Sequence, residues 1–168
     1  MKFFVLLAFG LLLSPSTVLA QQPQNANYIS PDWLTFSEAL NAAEVSGRTV
    51  LVDVYAPWCP WCAKLQTEVY ADPAILSYLK ENFETARLNI EEKEEVIQFK
   101  GFELTSPELA AGLGAEATPT VVFLSSAGEY ITRVPGFVEA EEFMHVLRYI
   151  STGSYQIESF QDYKLRNH

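Results

Sequence analysis

The strongest constraint on the fold is a pair of cysteines placed shortly after an apolar segment. Residues 49–55, TVLVDVY, are a β-branched apolar run that predicts a buried strand. Cys59 and Cys62 follow, separated only by Pro60 and Trp61, and the chain has no other cysteine. A disulfide between them would close a very small loop, and such a loop stabilises a fold little. The pair is therefore better explained by chemistry than by structural cross-linking.

Pro60 indicates where the helix after this strand begins. Proline is favoured at the first helical position, because its missing N–H group would have no partner there. Cys59 then lies at the helix entrance, where unpaired N–H groups and the helix dipole stabilise a thiolate and lower the pKa of a cysteine. Cys62, one turn further along, lies on the same face and can attack a mixed disulfide formed at Cys59. We therefore predict a nucleophilic Cys59 and a resolving Cys62.

The rest of the chain alternates predicted helices and strands. A helix is predicted around residues 37–45, ending near Gly47, and Cys62, Leu65 and Val69 have the spacing of one helical face. A helical segment is predicted over 74–83, and Asp72 and Pro73 either interrupt the preceding helix or start this one. A strand at 84–90 and a helical segment over 91–115, with a break at Gly101, follow. The last predicted elements are a hairpin of 120–124 and 130–136, a helix over 138–150, and a short extra helix in the tail 151–168. This order predicts one α/β domain, with a mixed β-sheet flanked by helices on both faces.

Residues 1–20 have the layout of a secretory signal peptide. A basic residue precedes an apolar run over residues 3–13, and a small-residue end predicts cleavage after Ala20. The alternative is an uncleaved membrane anchor, but the run is short for a hydrocarbon layer of about 30 Å. We expect a soluble protein, periplasmic or secreted, with a flexible lead at residues 21–30 and one domain at residues 31–168.

The charge of the exported chain argues against two classes of partner. Lys2 is the only basic residue of the first twenty, so ten bases remain against 21 acids, a formal charge of −11. Nucleic acids and anionic lipid surfaces need basic patches on the proteins that bind them. Neither is expected to be a partner.

Four separated motifs resemble the thioredoxin superfamily. The stretch VDVYAPWCPWCAK, residues 52–64, is similar to the strand, active-site loop and helix start of these proteins. By that resemblance, Asp53 corresponds to a buried acid that helps to move a proton to or from Cys62. Arg87, in ARLNI, corresponds to a basic neighbour of that acid.

The remaining motifs lie near the C-terminal hairpin. TPTVVFLSSAGE, residues 118–129, resembles the segment that holds the superfamily's cis-proline, which would be Pro119 with Thr118 before it. Gly136 lies where thioredoxins carry a glycine after the hairpin. The resemblance covers about residues 33–150 and implies the thioredoxin fold, to which the tail, with spaced aromatic residues at Tyr155, Phe160 and Tyr163, adds a predicted C-terminal helix. The tail pattern is similar to that of exported thioredoxin-related proteins found beside bacterial sulfur-oxidation genes.

The resemblance implies a thiol–disulfide oxidoreductase that uses the Cys59–Cys62 dithiol. No cofactor is needed, because the dithiol itself carries two electrons. The expected partners are proteins that contain a disulfide or a thiol, together with a membrane thiol that donates electrons. The residues expected to contact substrate are Trp58, Pro60, Trp61, Thr118 and Pro119.

The direction of electron flow has more than one possible answer. The pair between the cysteines is Pro-Trp, whereas thioredoxins carry Gly-Pro, and it lacks a histidine that could stabilise the thiolate further. A reductase is therefore favoured over a strong oxidase. Thr118 before the proline resembles some isomerase-type members, so a disulfide oxidase or isomerase remains an alternative.

Functions of other classes also remain open. The cysteines could be half of a metal site, but zinc usually takes four ligands and the only histidines are His145 and His168. A non-catalytic binding module or a metal chaperone is the rival interpretation. The candidate residues have structural alternatives as well: packing for the two tryptophans, an ordinary trans bond for Pro119, a solvent-facing acid for Asp53 and a surface charge for Arg87.

Overall fold

The computed structural model describes residues 30–167, so the predicted signal peptide and nearly all of the lead lie outside the described residues. The helices are α1 (Phe36–Ser46), α2 (Pro60–Lys64), α3 (Pro73–Asn82), α4 (Ser106–Gly112), α5 (Ala140–Ser151) and α6 (Phe160–Arg166). The strands are β1 (Thr49–Tyr55), β2 (Phe83–Asn89), β3 (Ile97–Phe99), β4 (Phe102–Leu104), β5 (Thr120–Leu124) and β6 (Tyr130–Pro135). A π-helical turn, Leu65–Tyr70, continues α2, and a 3₁₀ turn, Ser154–Gln156, precedes α6. Within residues 30–167, no helix has the length and apolar character that crossing a membrane requires.

The central sheet has the strand order β2-β1-β5-β6 and contains both pairing directions. β1 is parallel to β2 and antiparallel to β5, and β5 pairs antiparallel with β6. A parallel pair needs a crossover, which α2, the π-helical turn and α3 supply. On the outer side of β2, Leu34 pairs in parallel with Ala86. The predicted α/β class with a mixed central sheet is confirmed.

Strand β1 is buried on both faces, because helices cover both sides of the sheet. Val50, Val52 and Val54 contact the layer that contains α1 and α4. Leu51 contacts the opposite layer, formed by the π-helical turn, α3 and α5. Side chains alternate along a strand, so Asp53 lies on the Leu51 side. A carboxylate is thereby placed inside the layer that contains the helix following the cysteines.

Local signals determine the ends of α1. Thr35 and Glu38 form a capping box, in which each side chain bonds the backbone N–H of the other residue. At the other end, Gly47 adopts the left-handed conformation, with φ of 75°, and donates its N–H to the Ala43 carbonyl. The predicted helix around residues 37–45 is confirmed with its stop near Gly47.

The prediction for residues 91–115 is wrong over most of that segment. Instead of a helix broken at Gly101, strands β3 and β4 form an antiparallel hairpin, and only α4 is helical. Lys100 and Gly101 make the two-residue turn, and both have the positive φ that such a turn requires, 50° and 84°. Ile97 and Phe99 pack towards the core. The apolar alternation of this short segment therefore follows the strand period and not the helical one.

The C-terminal tail packs back against α5. The Tyr149 ring lies 5.3 Å from the rings of Phe160 and Tyr163, measured between centroids. The Tyr149 hydroxyl also donates to the Glu158 carbonyl at 2.6 Å. The predicted short extra helix is confirmed as α6.

Candidate active site

The two cysteines form a disulfide at the start of α2. Pro60 is the first residue of this helix and Cys59 is its N-cap. The Cys62 N–H donates to Cys59 Sγ at 3.1 Å, so the sulfur takes the place that a capping oxygen has in other helices. Because N–H donors at a helix start favour negative charge, this position would stabilise the Cys59 thiolate in the reduced protein.

Both sulfurs lie in a small apolar cluster. Cys59, Cys62 and Ala56 are buried together, and Tyr55 and Ile90 pack against them. Each cysteine is only 5% exposed. A reaction partner must therefore come into close contact with the surface around the disulfide before its own sulfur can reach Cys59.

Asp53 is a buried carboxylate whose two oxygens have different donors. It is only 2% exposed. Arg87 Nε donates to Oδ2 at 2.9 Å, and the Tyr70 hydroxyl donates to Oδ1 at 3.3 Å. Burial raises the pKa of Asp53, although the charge of Arg87 and the hydrogen bonds from Arg87 and Tyr70 act to lower it. An acid with a raised pKa exchanges its proton closer to neutral pH than an exposed aspartate does, as acid–base catalysis requires.

Two aromatic rings hold the Arg87 guanidinium beside Asp53. Arg87 Cζ lies 3.9 Å from the Tyr55 ring centroid and 5.2 Å from that of Trp33. Although β2 is one of the two edge strands of the four-stranded sheet, the Arg87 side chain is only 26% exposed. Tyr55 also packs against the cysteine cluster. Arg87 is therefore an inward-facing partner of Asp53, connected through one ring to the disulfide.

The surface beside the disulfide is aromatic. Trp58 is 65% exposed and Trp61 is 56% exposed. The indole N–H of Trp58 donates to Glu91 Oε1 at 3.1 Å. On the other side, the Trp61 ring lies 5.7 Å from that of Phe137, and Lys64 Nζ lies 4.3 Å from the Phe137 centroid.

The Thr118–Pro119 peptide bond is cis, as the resemblance implies. Strand β5 begins directly after Pro119, and its first residue, Thr120, pairs with Val54 near the end of β1. Pro119 therefore lies at the end of the sheet where β1 ends and the chain continues to Cys59. The Gly136 N–H donates to the Pro119 carbonyl at 2.8 Å.

The predicted site residues are linked through two sets of neighbouring contacts, one on the Asp53 side and one on the Pro119 side. Arg87 connects Asp53 with Tyr55, which packs against the cysteines. Gly136, bonded to Pro119, precedes Phe137, whose ring contacts Trp61. The structure thus gathers the predicted residues at one end of the sheet.

The sequence alone does not indicate Tyr70, which donates to Asp53, or Trp33, whose ring contacts Tyr70 and Arg87. The α-helical spacing counted from Cys62 selects Val69 for the inner face. In the structure both Val69 and Tyr70 are buried. In the sequence, Tyr70 is an aromatic residue next to the apolar Val69, shortly before the helix start at Asp72 and Pro73. This pattern is consistent with burial but does not predict a contact with Asp53.

Thiol–disulfide exchange that is resolved within one chain uses two cysteines that can form and break a disulfide with each other. Cys59 and Cys62, at the start of α2, are placed in this way. Among residues 30–167, no three side chains of the metal-binding types come together. The architecture and the disulfide define a thioredoxin-fold protein whose two cysteines, at the start of α2, can form a disulfide with each other.

Comparison with known sequences agrees with this class. The sequence model of the thioredoxin-like domain family matches residues 36–151, and the chain belongs to that family. The thiol:disulfide interchange protein DsbD of Photorhabdus laumondii is 27% identical over 138 residues, which are 80% of this chain and 22% of that protein. DsbD of Pseudoalteromonas atlantica is 30% identical over 110 residues, 64% of this chain and 17% of that protein. The chain thus spans about a fifth of the length of these curated relatives.

Solved structures are similar over most of the described residues. A thioredoxin from Thermus thermophilus is 31% identical with a TM-score of 0.58, over 72% of this chain and 87% of that one. A thioredoxin-fold protein from Helicobacter pylori is 23% identical with a TM-score of 0.59, over 72% of this chain and 80% of that one. The second likeness concerns the fold alone.

Proposed function

We propose that the protein reduces disulfides of partner proteins outside the cytoplasm, with Cys59 as the nucleophile. The observation that carries this proposal is the Cys59 sulfur at the start of α2, where it accepts the Cys62 N–H at 3.1 Å. That position favours the thiolate, which is the form that attacks disulfides. The similarity to proteins named for thiol:disulfide interchange supports the same chemistry.

The reaction proceeds in two exchanges. The Cys59 thiolate attacks one sulfur of the substrate disulfide, a new S–S bond forms, and the other substrate sulfur leaves as a thiolate. Cys62 then gives its proton to Asp53 and attacks the Cys59 sulfur, which releases the second substrate thiolate. The substrate gains two electrons, and the Cys59–Cys62 disulfide of this structure is the oxidised product.

Binding is assigned to the exposed surface around the disulfide. Trp58 and Trp61 offer apolar ring faces to a substrate chain, since exposed aromatic side chains contribute strongly to contacts between proteins. Pro60, Thr118 and Pro119 border the same end of the sheet, and the backbone there would hold an extended segment of substrate.

A reductase needs a source of electrons, and a membrane thiol protein is proposed as the donor. The Pro-Trp pair between the cysteines contains no histidine to add further stabilisation to the thiolate, which argues against a strong oxidant. A reduction potential near that of thioredoxin, about −270 mV, is expected. A potential near about −120 mV, that of a strong disulfide oxidant, would assign the opposite direction of electron flow.

Export is proposed from the signal-peptide layout of residues 1–20, which lie outside the described residues. The relation to exported proteins of sulfur-oxidation gene clusters stays a prediction from the resemblance of the tail. Both predictions concern where the protein acts, and the thiol chemistry does not depend on them.

Reduction of insulin with dithiothreitol as the electron source tests the proposed reaction. We expect turnover by the parent protein and none above background by the Cys59→Ser variant. The Cys62→Ala variant should instead accumulate a mixed disulfide at Cys59, because the resolving thiol is missing. If Cys59→Ser retains the activity of the parent protein, the chain is a binding module and the proposed reaction is wrong.

A further inference from the structure

The helix that carries the cysteines changes its geometry between Cys62 and Tyr70. Residues Leu65–Tyr70 form a π-helical turn, in which hydrogen bonds span five residues instead of four. An α-helix turns about 100° per residue, so Tyr70 would point about 80° away from Cys62 in a regular helix. A π-helical turn rotates less per residue than an α-helix, so it brings Tyr70 back towards the side on which Cys62 lies. Such turns are often found at functional sites.

The Tyr70 side chain is fully buried, and its hydroxyl is directed to Asp53. The ring contacts Trp33 edge-on at 5.0 Å and Phe143 edge-on at 5.8 Å, measured between centroids. The hydroxyl donates to Asp53 Oδ1 at 3.3 Å, whereas Arg87 serves the other oxygen. Two aromatic contacts therefore fix the donor in place, and neither requires the hydroxyl.

Two side chains among residues 30–167 act on the Asp53 carboxyl through charge or hydrogen bonds. Arg87 from β2 and Tyr70 from the π-helical turn are its side-chain partners, and Val121, its pairing partner on β5, is apolar. Phe143 from α5 and Trp33 before α1 contribute rings that do not titrate. Tyr55, two residues further along β1, contacts Arg87 and packs against the cluster that contains Cys59 and Cys62.

We propose that Tyr70 is a positioning residue for the resolving step: its hydroxyl orients the Asp53 carboxylate and stabilises the ionised form that accepts the Cys62 proton. This proposal rests on the proposed reaction, because it concerns the proton that Cys62 loses as the mixed disulfide breaks. The proton passes from the Cys62 thiol to Asp53, and the Cys62 sulfur forms the new bond to Cys59. Tyr70 keeps its own proton throughout, because burial and the charge of Asp53 raise its pKa well above the ordinary value.

The test compares Tyr70→Phe with the parent protein in insulin reduction across about pH 5.5–9. Phenylalanine keeps the ring contacts with Trp33 and Phe143 and removes only the donor. Losing a donor to the charged form raises the pKa of Asp53, so the acidic limb of the profile should move up by about one pH unit. On the acidic limb of the profile the rate at a given pH should fall about 5–10-fold, while the rate on the alkaline plateau should stay within about twofold.

A matched control separates this role from a merely structural one. Tyr78→Phe removes a hydroxyl that bonds Ser151 at 2.7 Å in the same helical layer, without contact to Asp53. It should leave the pH profile in place even where it lowers the free energy of unfolding. Tyr70→Phe in an Asp53→Asn background should likewise cause no further shift.

The outcomes distinguish the positioning role from the reaction itself. Insulin turnover by the parent protein, with a shift in Tyr70→Phe alone, supports both. If the parent turns over insulin and Tyr70→Phe follows the profile of Tyr78→Phe, the positioning role is overturned and the reaction stands. A carboxyl ¹³C titration of Asp53 by NMR gives a second readout, and equal midpoints in the parent and Tyr70→Phe would overturn the proposal independently of turnover.

Discussion

Replacing Arg87 with glutamine should destabilise the protein in a pH-dependent way. Removing one partner of a buried ion pair costs about 3–5 kcal/mol when the other charge stays behind. Asp53 is 2% exposed, but the Arg87 side chain is 26% exposed, so solvent already screens part of the pair. Asp53 can also take up a proton. We therefore expect Arg87→Gln to lower the free energy of unfolding by about 1.5–3 kcal/mol at about pH 8.

The sign of the pH dependence follows from the raised pKa of Asp53. Burial makes the folded protein hold this proton more tightly than the unfolded chain does. The group therefore stabilises the fold below its unfolded pKa, and that contribution is lost as the pH rises through the folded pKa. Without Arg87 the folded pKa rises further, so the loss extends to higher pH and becomes larger. At about pH 4 the cost should fall to about 1 kcal/mol or less, the contribution of the lost ring contacts.

Urea unfolding of the oxidised protein at both pH values measures this effect. The double variant Asp53→Asn/Arg87→Gln should recover most of the lost free energy of unfolding at about pH 8, because it removes the buried carboxylate that has no Arg87 partner. Arg148→Gln serves as a control, since Arg148 lies near the Tyr78 ring at 6.0 Å and has no part in the Asp53 pair. An equal cost of Arg87→Gln at both pH values, or no recovery in the double variant, would refute the reasoning.

Two further predictions concern binding and local stability. Trp58→Ala and Trp61→Ala should each raise KM for insulin by about 3–10-fold with little change in kcat, because we propose that the exposed rings bind substrate and take no part in the exchange itself. KM values equal to that of the parent protein in steady-state assays would exclude the two side chains from the contact surface. Thr35→Ala should lower the free energy of unfolding by about 1 kcal/mol, because it removes one side of the capping box of α1. Thermal unfolding measures that loss, and an unchanged midpoint would contradict the contribution of the cap.

The elements around the cysteines could be predicted because their signals are local. The β-branched run of residues 49–55 is β1, and Pro60 begins α2. Gly47 ends α1 with the left-handed conformation that glycine favours. Each of these features depends on a few neighbouring residues, so a single sequence contains the necessary information.

The features that were not predictable depend on distance or on a departure from regular geometry. The Asp53–Arg87 pair joins residues 34 positions apart, so only the resemblance to thioredoxins suggested it. Tyr70 reaches Asp53 through a π-helical turn, which α-helical periodicity does not represent. The hairpin of β3 and β4 has strands of three residues each, too short for a strand period to stand out against the helical pattern around it.

The central claim is that the start of α2 holds the Cys59 sulfur as a thiolate. The rate of alkylation of Cys59 by iodoacetamide, followed against pH in the reduced protein, measures this directly. We expect a midpoint at least about one unit below the ordinary thiol value of about 8.5, because the N–H donors of the helix start stabilise the anion. A midpoint at about 8.5, that of an unperturbed thiol, would contradict the account.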